Sequence, residues 1–344
     1  MSSLLNSADH LLADEDTTLP TGWFDRFYFN MHDRDGRIAF FCGAGIYPTA
    51  GVRDGWAIVV RDGVQTNLRF SSSLGTLPVD GVGPLSFSTT APSIWRIALN
   101  SNPSGIELDA TWRGRFEPFE YAPLVFGDGH GGQTNFAHLV QSGIWDGTLT
   151  LDGEPLDVTG WWGQRDRSRG VRSVHARQGL HLWVQPQFDD LHISIMYDED
   201  REGRVTLCDG LVMHREGRRE PVTAIEHDLK VGDDLEVSAG TLRVVTAAAV
   251  YDLEATFDPL GGGYLAGGGY DGRHGKAVGE DHVATERWNC AAVDLRAIGT
   301  PLTDRVAVFT HDGRRGTGVF ETALSRSPQF RYRATLNDTA TGQS

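Results

Sequence analysis

Long apolar runs, cysteine pairs and metal-binding motifs are all missing from this sequence of 344 residues. No apolar run approaches the roughly 20 residues of a membrane-spanning helix, so no membrane span is expected. The three cysteines, Cys42, Cys208 and Cys290, are widely separated and include no C-x-x-C pair, which makes a disulfide framework or a zinc site a poor interpretation. We therefore predict buried free thiols and no metal.

Basic residues are also few: the sequence has 31 Lys and Arg against 46 Asp and Glu, which gives a formal net charge of −15. Proteins that hold nucleic acid or anionic membranes through their net field carry a basic face or stripe. We therefore expect no nucleic-acid partner. The first 20 residues carry acids where a signal peptide would be apolar. Together with the free thiols, this predicts a cytoplasmic, globular protein.

Helical periodicity is scarce, with a hint of it only in residues 2–14, whereas glycine is abundant at 42 residues. Ten of these glycines follow an aspartate. Asp-Gly favours tight hairpins, because both central residues of a type I′ turn need positive φ. The pairs begin at Asp35, Asp54, Asp62, Asp80, Asp128, Asp146, Asp152, Asp209, Asp271 and Asp312. Their flanks alternate polar and apolar residues, so we predict an all-β, antiparallel chain forming barrels or sandwiches.

The length of the chain favours two such units. A fresh series of hairpins starts near residues 141–147, which places the predicted boundary there. The predicted divisions are an N-terminal extension (1–19), an N-terminal β domain (20–145), a C-terminal β domain (146–330) and a polar, frayed tail (331–344).

Familiar catalytic motifs are absent from the sequence. No G-x-S-x-G elbow, H-E-x-x-H pair or phosphate-binding loop occurs. Residues 261–266 fit G-x-G-x-x-A, but further glycines follow instead of a helix, so we predict a flexible loop there. Residues 198–209 imitate the spacing of a calcium loop, but strands flank them, and an acidic hairpin turn is the better interpretation.

An unusual concentration of charge lies in residues 160–172, which read GWWGQRDRSRGVR. Four arginines surround one Asp and one Ser, directly after two tryptophans. Alternate residues of a strand share a face, and the face that carries the acid would contain Trp162, Gln164, Asp166 and Ser168. An aromatic wall with an acid and hydrogen-bonding groups could line a pocket. The alternative is a structural Arg–Asp network that fixes the start of a strand.

This segment resembles the G-x-G-x-R-D-H-S-W-G-x-R signature of the lipocalin-like hydratase superfamily, which includes hydroxyneurosporene synthase, AttH-like proteins and the lipocalin-like Diels–Alderases. The matching positions are Asp166, Ser168, Gly170 and Arg172. Arg167 stands where the signature has His, and Arg169 where it has Trp. Further similar segments are residues 23–36, 45–48, 141–147 and 316–321, so the resemblance extends over residues 20–325.

The resemblance implies two calycin- or lipocalin-like antiparallel β-barrel or β-sandwich domains packed together. It further implies a hydrophobic small-molecule substrate, held in a barrel mouth or at the domain junction, and no cofactor. The chemistry would be that of a lyase of the hydratase type, or of an isomerase, on an isoprenoid-, steroid- or polyketide-like molecule. Two alternatives stay open: a non-catalytic protein that binds a hydrophobic ligand, and a pericyclase or cyclase that acts by shape.

Asp166 is the predicted acid, because a carboxyl packed against tryptophan has its pKa raised by desolvation. Since nearby arginines oppose that shift, Asp166 could instead orient Arg165 or Arg169 while Glu321 donates the proton. The predicted catalytic residues are thus Asp166, Arg165 and Glu321. The predicted substrate-binding residues are Trp145, Trp161, Trp162, Gln164, Ser168, Arg169, Arg172 and Trp183.

Overall fold

A computed structural model describes residues 3–13, 18–127, 133–172, 178–258 and 261–336. Short 3₁₀ turns are its helical elements, at Leu4–Ser7, Pro48–Ala50, Leu265–Gly268 and Cys290–Ala292. Among the described residues, no helix has the length and apolar character needed to cross a membrane. The predicted all-β chain is confirmed.

The strands of the first half of the chain are β1 (Trp23–His32), β2 (Ile38–Tyr47), β3 (Val52–Arg61), β4 (Val64–Ser73), β5 (Gly81–Val82), β6 (Leu85–Ala91), β7 (Ile94–Leu99), β8 (Ile106–Gly114), β9 (Phe119–Glu120), β10 (Leu124–Gly127), β11 (Gln133–Leu151), β12 (Glu154–Asp157) and β13 (Trp161–Val171). Those of the second half are β14 (Gln178–Val184), β15 (Leu191–Asp200), β16 (Val205–His214), β17 (Arg219–Val231), β18 (Val237–Thr246), β19 (Val250–Phe257), β20 (His282–Asn289), β21 (Thr303–His311) and β22 (Arg314–Leu324).

Two antiparallel sheets contain these strands. The first, which we call the half-barrel, runs in the order β20-β4-β3-β2-β1-β13-β11-β8-β7-β6-β5, with β9, β10 and β12 also paired to β11. The second is a closed barrel of β14 to β19, β21 and β22, in which β22 pairs with β14. Closure leaves this barrel without a free edge. Two packed barrel-type units therefore confirm the predicted architecture.

Local turn chemistry explains three hairpins of this fold. Asp62-Gly63, Asp152-Gly153 and Asp312-Gly313 all have positive φ at both residues, as a type I′ turn requires, and they join β3 to β4, β11 to β12 and β21 to β22. Other Asp-Gly pairs lie inside strands, as at Asp54 in β3 and Asp209 in β16. The pair that begins at Asp128 lies outside the described residues.

The division between the two sheets differs from the predicted boundary at residues 145 and 146. That boundary falls inside β11, a strand of 19 residues that continues into the hairpin with β12. The chain leaves the half-barrel after β13 and enters the closed barrel at β14. The chain returns to the half-barrel once: β20, which follows β19 and precedes β21 along the chain, pairs with β4 of the half-barrel.

The described parts of the chain ends are attached to the sheets. In the extension, Leu4 and Leu12 are buried, and in the tail the backbone N–H of Thr335 donates to the carbonyl of His227; residues 337–344 lie outside the described part. The segment predicted to be a flexible loop is packed instead. Its residues 264–268 are buried, and the side-chain oxygen of Gln65 accepts from the backbone N–H of Gly263 and Tyr264.

Two large apolar cores hold the sheets. One lies on one face of the half-barrel and includes Trp95, Trp112 and Trp145. The other fills the closed barrel and extends across to side chains of the half-barrel such as Tyr28 and Trp56. The free cysteines are confirmed as unpaired, with Cys42 and Cys290 buried and Cys208 half-buried.

Candidate functional site

A cavity of about 820 Å³ lies between the two sheets. Its walls come from β1, β11 and β13 on the half-barrel side and from β14, β15 and β22 on the barrel side. The apolar part of the lining includes Phe24, Leu124, Phe136, Trp183, Met196 and Leu324. This volume and this mixture of apolar walls with a few polar groups are typical of small-molecule sites.

Three neighbouring strands build the half-barrel wall from aligned rows of side chains. In one row Phe24 of β1, Gly170 of β13 and Phe136 of β11 lie side by side. The next row along the strands places Arg26 beside Ser168 and His138. The third row places Tyr28 beside Asp166 and Val140. Because strand side chains alternate between faces, these rows share the face that borders the cavity.

In the first row, Gly170 has no side chain and so leaves room for the neighbouring residues of β11. A Cβ at this position would lie 2.3 Å from the carbonyl oxygen of Asn135 and 2.7 Å from the Cβ of Phe136, and its φ is +144°. The rings of Phe24 and Phe136 have their centroids 6.1 Å apart on either side of it. The glycine therefore lets two aromatic rings approach each other at the cavity wall.

Asp166 presents its carboxyl to the cavity from the third row. Only 13% of its side chain is exposed. Its pKa is raised to about 8: burial is the largest cause, the negative charge of Glu321 adds to the rise, and the positive charges of Arg26 and Arg172 oppose it. The carboxyl is therefore largely protonated at neutral pH and can donate a proton.

His138 is a titratable neighbour of Asp166. Its Nε2 lies 3.9 Å from Oδ2 of Asp166 and has no hydrogen-bond partner, while its Nδ1 lies 3.1 Å from the hydroxyl oxygen of Ser168. Burial, together with the positive charge of Arg172, lowers the pKa of His138 to about 3. The imidazole is therefore neutral, and its free nitrogen faces the acid.

Glu321 faces the cavity from the barrel side within a charged network. Its carboxylate lies 2.8 Å from Nε2 of His181, whose Nδ1 lies 2.6 Å from Asp198. Burial opposes the charge on His181, but the two carboxylates outweigh it and raise its pKa to about 10. Burial would likewise raise the pKa of Glu321, but the hydrogen bond and charge of His181 lower it. Glu321 is therefore ionised while Asp166 is protonated.

A second protonated carboxyl lies behind Glu321. Asp304 on β21 is directly opposite Glu321 on β22, and it accepts a hydrogen bond of 2.5 Å from the hydroxyl of Tyr28. Burial and the charge of Glu321 raise the pKa of Asp304 well above its usual value. Since two adjacent buried carboxyls do not ionise together, Asp304 holds a proton and Glu321 does not.

Five of the residues predicted from sequence lie at the cavity, namely Asp166, Ser168, Arg172, Trp183 and Glu321. The other predicted residues do not line it. Trp145 and Trp161 pack in or against the half-barrel core. Trp162 and Gln164 share the face of Asp166 but lie further along β13, where Arg34 and Arg115 stack on Trp162 and the side chain of Gln164 donates to the carbonyl of Gln185.

Arg165 and Arg169 also lie outside the cavity, because odd-numbered residues of β13 point to its other face. Arg165 pairs with Asp9 of the extension at 2.9 Å and donates to Gln141. Arg167 and Arg169 both pair with the buried carboxylate of Asp25, at 2.7 and 2.8 Å. The structural Arg–Asp network considered above therefore exists, but it does not include Asp166, and Asp166 does not orient Arg165 or Arg169.

Sequence reasoning missed Phe24, Arg26, Tyr28, His138, His181 and Asp304. Strand pairing brings Phe24, Arg26, Tyr28 and His138 onto the same wall as Asp166, whereas His181 and Asp304 come from the closed barrel. Each reads as an ordinary strand residue in isolation. The sequence carries no signal for the register of β11 with β13, in which Trp145 lies opposite Trp161 and His138 opposite Ser168. No group of three or more metal-ligating side chains forms among the described residues.

Comparisons with known proteins agree with this fold. A family model described as a family of unknown function (DUF8625) matches residues 12–328. No curated protein sequence matches. The AttH-like protein NE1406 of Nitrosomonas europaea shares 11% identity with a TM-score of 0.59, covering 88% of this chain and 92% of its own.

Two further solved structures are similar. Kievitone hydratase of Nectria haematococca shares 12% identity with a TM-score of 0.54, covering 94% of this chain and 96% of its own. CghA, solved with Sch210972, shares 12% identity with a TM-score of 0.51, covering 93% and 98%. These neighbours confirm the resemblance to the lipocalin-like hydratase and cyclase superfamily at the level of the fold.

Proposed function

Because the chain belongs to DUF8625, a family of unknown function, we propose its activity from the cavity: a cofactor-independent lyase of the hydratase type, or an isomerase, that acts on a largely apolar small molecule. The substrate would be isoprenoid-, steroid- or polyketide-like. The observation that supports this most strongly is Asp166, a protonated carboxyl that faces a cavity walled by aromatic rings.

Asp166 would act as the general acid. It would give its proton to an alkene carbon or to a leaving hydroxyl, since a pKa of about 8 keeps the proton available at neutral pH. The neutral His138, whose free nitrogen lies 3.9 Å from the carboxyl, would accept a hydrogen bond from Asp166 or guide its proton. The cationic carbon that forms would be stabilised by the ring faces of Phe24, Phe136 and Trp183.

Glu321 would serve as the base in the same reaction. Its ionised carboxylate faces the cavity opposite the protonated Asp166, and two carboxyls with opposite pKa shifts are the usual arrangement for an acid and a base in one site. In hydration it would remove a proton from the attacking water; in isomerisation it would remove one from the carbon skeleton. The lowered pKa of Glu321 disfavours the alternative in which Glu321 is the donor.

The known neighbours support a hydratase in general terms. Kievitone hydratase is named for such a reaction and shares the fold over 96% of its own length. A likeness of this kind does not fix a substrate, because one fold supports many reactions. The apolar lining and the volume of the cavity also suit the alternative, a protein that binds a hydrophobic ligand without changing it.

Replacing the acid tests the proposal. We would incubate the purified protein with a panel of unsaturated and hydroxylated terpenoids, steroids and polyketides in D₂O buffer, and follow water addition, water loss or deuterium uptake by mass spectrometry. Asp166→Asn should lower turnover of an identified substrate about 100-fold or more, the usual worth of a general acid. Its affinity for the substrate should stay within a few-fold.

The matched control is Asp109→Asn, which changes an exposed aspartate paired with Arg96 outside the cavity. It should leave turnover unchanged. Full turnover by Asp166→Asn would remove the acid assignment. A ligand that copurifies in the cavity and is never converted by the wild type would favour the binding protein instead.

A further inference from the structure

Two arginines of the cavity lining have no hydrogen-bonding or ionic partner among the described residues. Among the residues that the structure describes, Arg26 and Arg172 make neither a hydrogen bond nor an ion pair, although both line the cavity. Their neighbours differ in this respect, since Arg165 pairs with Asp9 and Arg167 with Asp25. Arg26 is half-buried and Arg172 is exposed, so the five N–H donors of each guanidinium are open to the cavity that both side chains line.

Aromatic rings hold both side chains in place. The guanidinium carbon of Arg26 lies 4.3 Å from the ring centroid of Phe24 and 5.5 Å from that of Tyr270. That of Arg172 lies 4.4 Å from Phe136 and 5.9 Å from the same Phe24 ring. Cation–π contacts of this kind stabilise the charge but satisfy none of the N–H donors. The donors of both arginines are therefore free for a ligand.

The charge of the cavity favours an anion although the whole chain is acidic. Four arginines line it, Arg26, Arg172, Arg201 and Arg326, against the three carboxyls Asp166, Asp198 and Glu321. Two of those carboxyls, Asp198 and Glu321, are engaged by His181. The cavity is thus a positive region in a chain of net charge −15, and the low-dielectric walls strengthen its attraction for a negative group.

We propose that the substrate is an amphipathic organic anion, such as a carboxylic acid, whose charged group binds Arg26 and Arg172 while its apolar body lies against Phe24, Phe136 and Trp183. The proposal deepens the proposed function, on which it rests for the chemistry at Asp166. Paired guanidinium donors suit a carboxylate, which accepts two parallel hydrogen bonds.

The position of Arg26 relative to Asp166 indicates how far the reacting carbon of the substrate lies from its charged group. Arg26 is directly across from Ser168, and Asp166 is two residues further along β13, which makes Arg26 and Asp166 diagonal neighbours on adjacent strands. Such neighbours are about 7–8 Å apart at their Cα atoms, within the joint reach of both side chains. The carbon that receives the proton therefore lies a few bonds from the charged group of the substrate, and the remote part of the molecule is apolar.

A matched pair of fluorescent probes tests the anion site without knowledge of the substrate. 1-Anilinonaphthalene-8-sulfonate carries a negative group, and N-phenyl-1-naphthylamine is the same ring system without it. In titrations of the wild type, the sulfonate should bind at least tenfold more tightly than the amine. Arg26→Gln and Arg172→Gln should each weaken sulfonate binding about tenfold and leave amine binding within twofold.

The control is Arg333→Gln, which removes the same charge from an exposed side chain outside the cavity and should change neither affinity. A circular dichroism spectrum and melting temperature of each variant would show that it folds. Equal affinity for the two probes in the wild type, or equal weakening of both by Arg26→Gln, would overturn the proposal. Failure of the sulfonate to bind the wild type would also overturn it.

The same titrations separate this inference from the proposed function. Asp166→Asn should keep the preference for the sulfonate, because Asp166 does not bind the charged group. If Asp166→Asn retains turnover while the preference persists, the acid assignment fails and the anion site stands. If the preference is absent while Asp166→Asn abolishes turnover, the anion site fails and the proposed chemistry stands.

Discussion

At the scale of single residues, environment rather than residue type decides what the carboxyls do. Asp25 and Asp166 are both buried and both near arginines, but Asp25 binds two guanidiniums directly, whereas Asp166 has no ion pair with an arginine within 4 Å among the described residues. Asp25 is therefore a structural anchor. Asp166 is left with a raised pKa, and so with a proton to give.

Because of its raised pKa, Asp166 contributes a pH-dependent part to the stability of the chain. The pKa of Asp166 is about 8 in the folded chain and roughly 4 in an unfolded one. Between those values the folded state holds one more proton than the unfolded state, so the contribution of Asp166 to stability falls as pH rises from about 4 to about 8. Asn does not titrate and makes no such contribution.

The free energy of unfolding of Asp166→Asn minus that of the wild type should therefore increase over this window, with a slope approaching about 1.4 kcal/mol per pH unit, and level off above pH 8. Urea unfolding at intervals between pH 5 and pH 9 measures it. Asp109→Asn is the reference, since the hydrogen bond with Arg96 lowers the pKa of Asp109 and its difference from the wild type should be flat over that range. A flat difference for Asp166→Asn would contradict the raised pKa.

At the scale of elements, β13 performs two tasks with its two faces. Its even-numbered residues Asp166 and Ser168 border the cavity, and its odd-numbered arginines fix the N-terminal extension and Asp25 on the opposite side. The two-residue repeat of a strand was enough to predict that the acid and the arginines separate. It did not predict where along the strand the cavity begins, which depends on how far the closed barrel covers Trp162 and Gln164.

Gly170 is a position within β13 that should be sensitive to substitution. Gly170→Ala should lower the free energy of unfolding by about 3 kcal/mol or more. The added Cβ would overlap the backbone of β11, and the φ of +144° disfavours a side chain. Gly160, in the turn directly before the same strand, is the matched control: its φ is +81°, but nothing lies within 4 Å of an added Cβ. Gly160→Ala should cost only about 1–2 kcal/mol.

Urea denaturation with an unchanged m-value measures both effects. Equal costs for the two glycines would show that backbone conformation alone, and not the close approach of Phe136, explains Gly170. A cost near zero at Gly170 would contradict the strand pairing described above.

The turns show how far local sequence predicts elements. Asp62-Gly63 and Asp152-Gly153 form the hairpins that their chemistry favours. Asp54-Gly55 does not turn, because Gly55 lies within a strand where Val82 occupies the space beside it, 2.4 Å from an added Cβ. A dipeptide cannot tell a turn glycine from a packing glycine, since the second depends on a distant residue.

At the scale of the whole molecule, the cavity exists only because two sheets meet. Arg26 and Asp166 are 140 positions apart in the sequence and become neighbours through the pairing of β1 with β13, while Glu321 arrives from the closed barrel. The sequence signature predicted Asp166, Ser168 and Arg172 because all three lie within one short segment of the sequence. The other half of the site depends on strand register, which a single sequence does not reveal.

The interleaving of the two sheets predicts cooperative unfolding. Since β20 crosses back to the half-barrel and one apolar core extends into both sheets, neither unit is independent. Differential scanning calorimetry should show one transition, with a calorimetric enthalpy close to the van't Hoff enthalpy. Two well-separated transitions would contradict this account.

Asp166 is protonated at neutral pH while Glu321, across the cavity, is ionised. Carbon-13 NMR of the carboxyl carbons, in protein labelled at aspartate, tests the protonation of Asp166 most directly. Comparison with Asp166→Asn identifies the resonance of Asp166 by its absence. We predict that this resonance titrates near pH 8; titration below pH 5 would contradict the claim and, with it, the role of Asp166 as the acid.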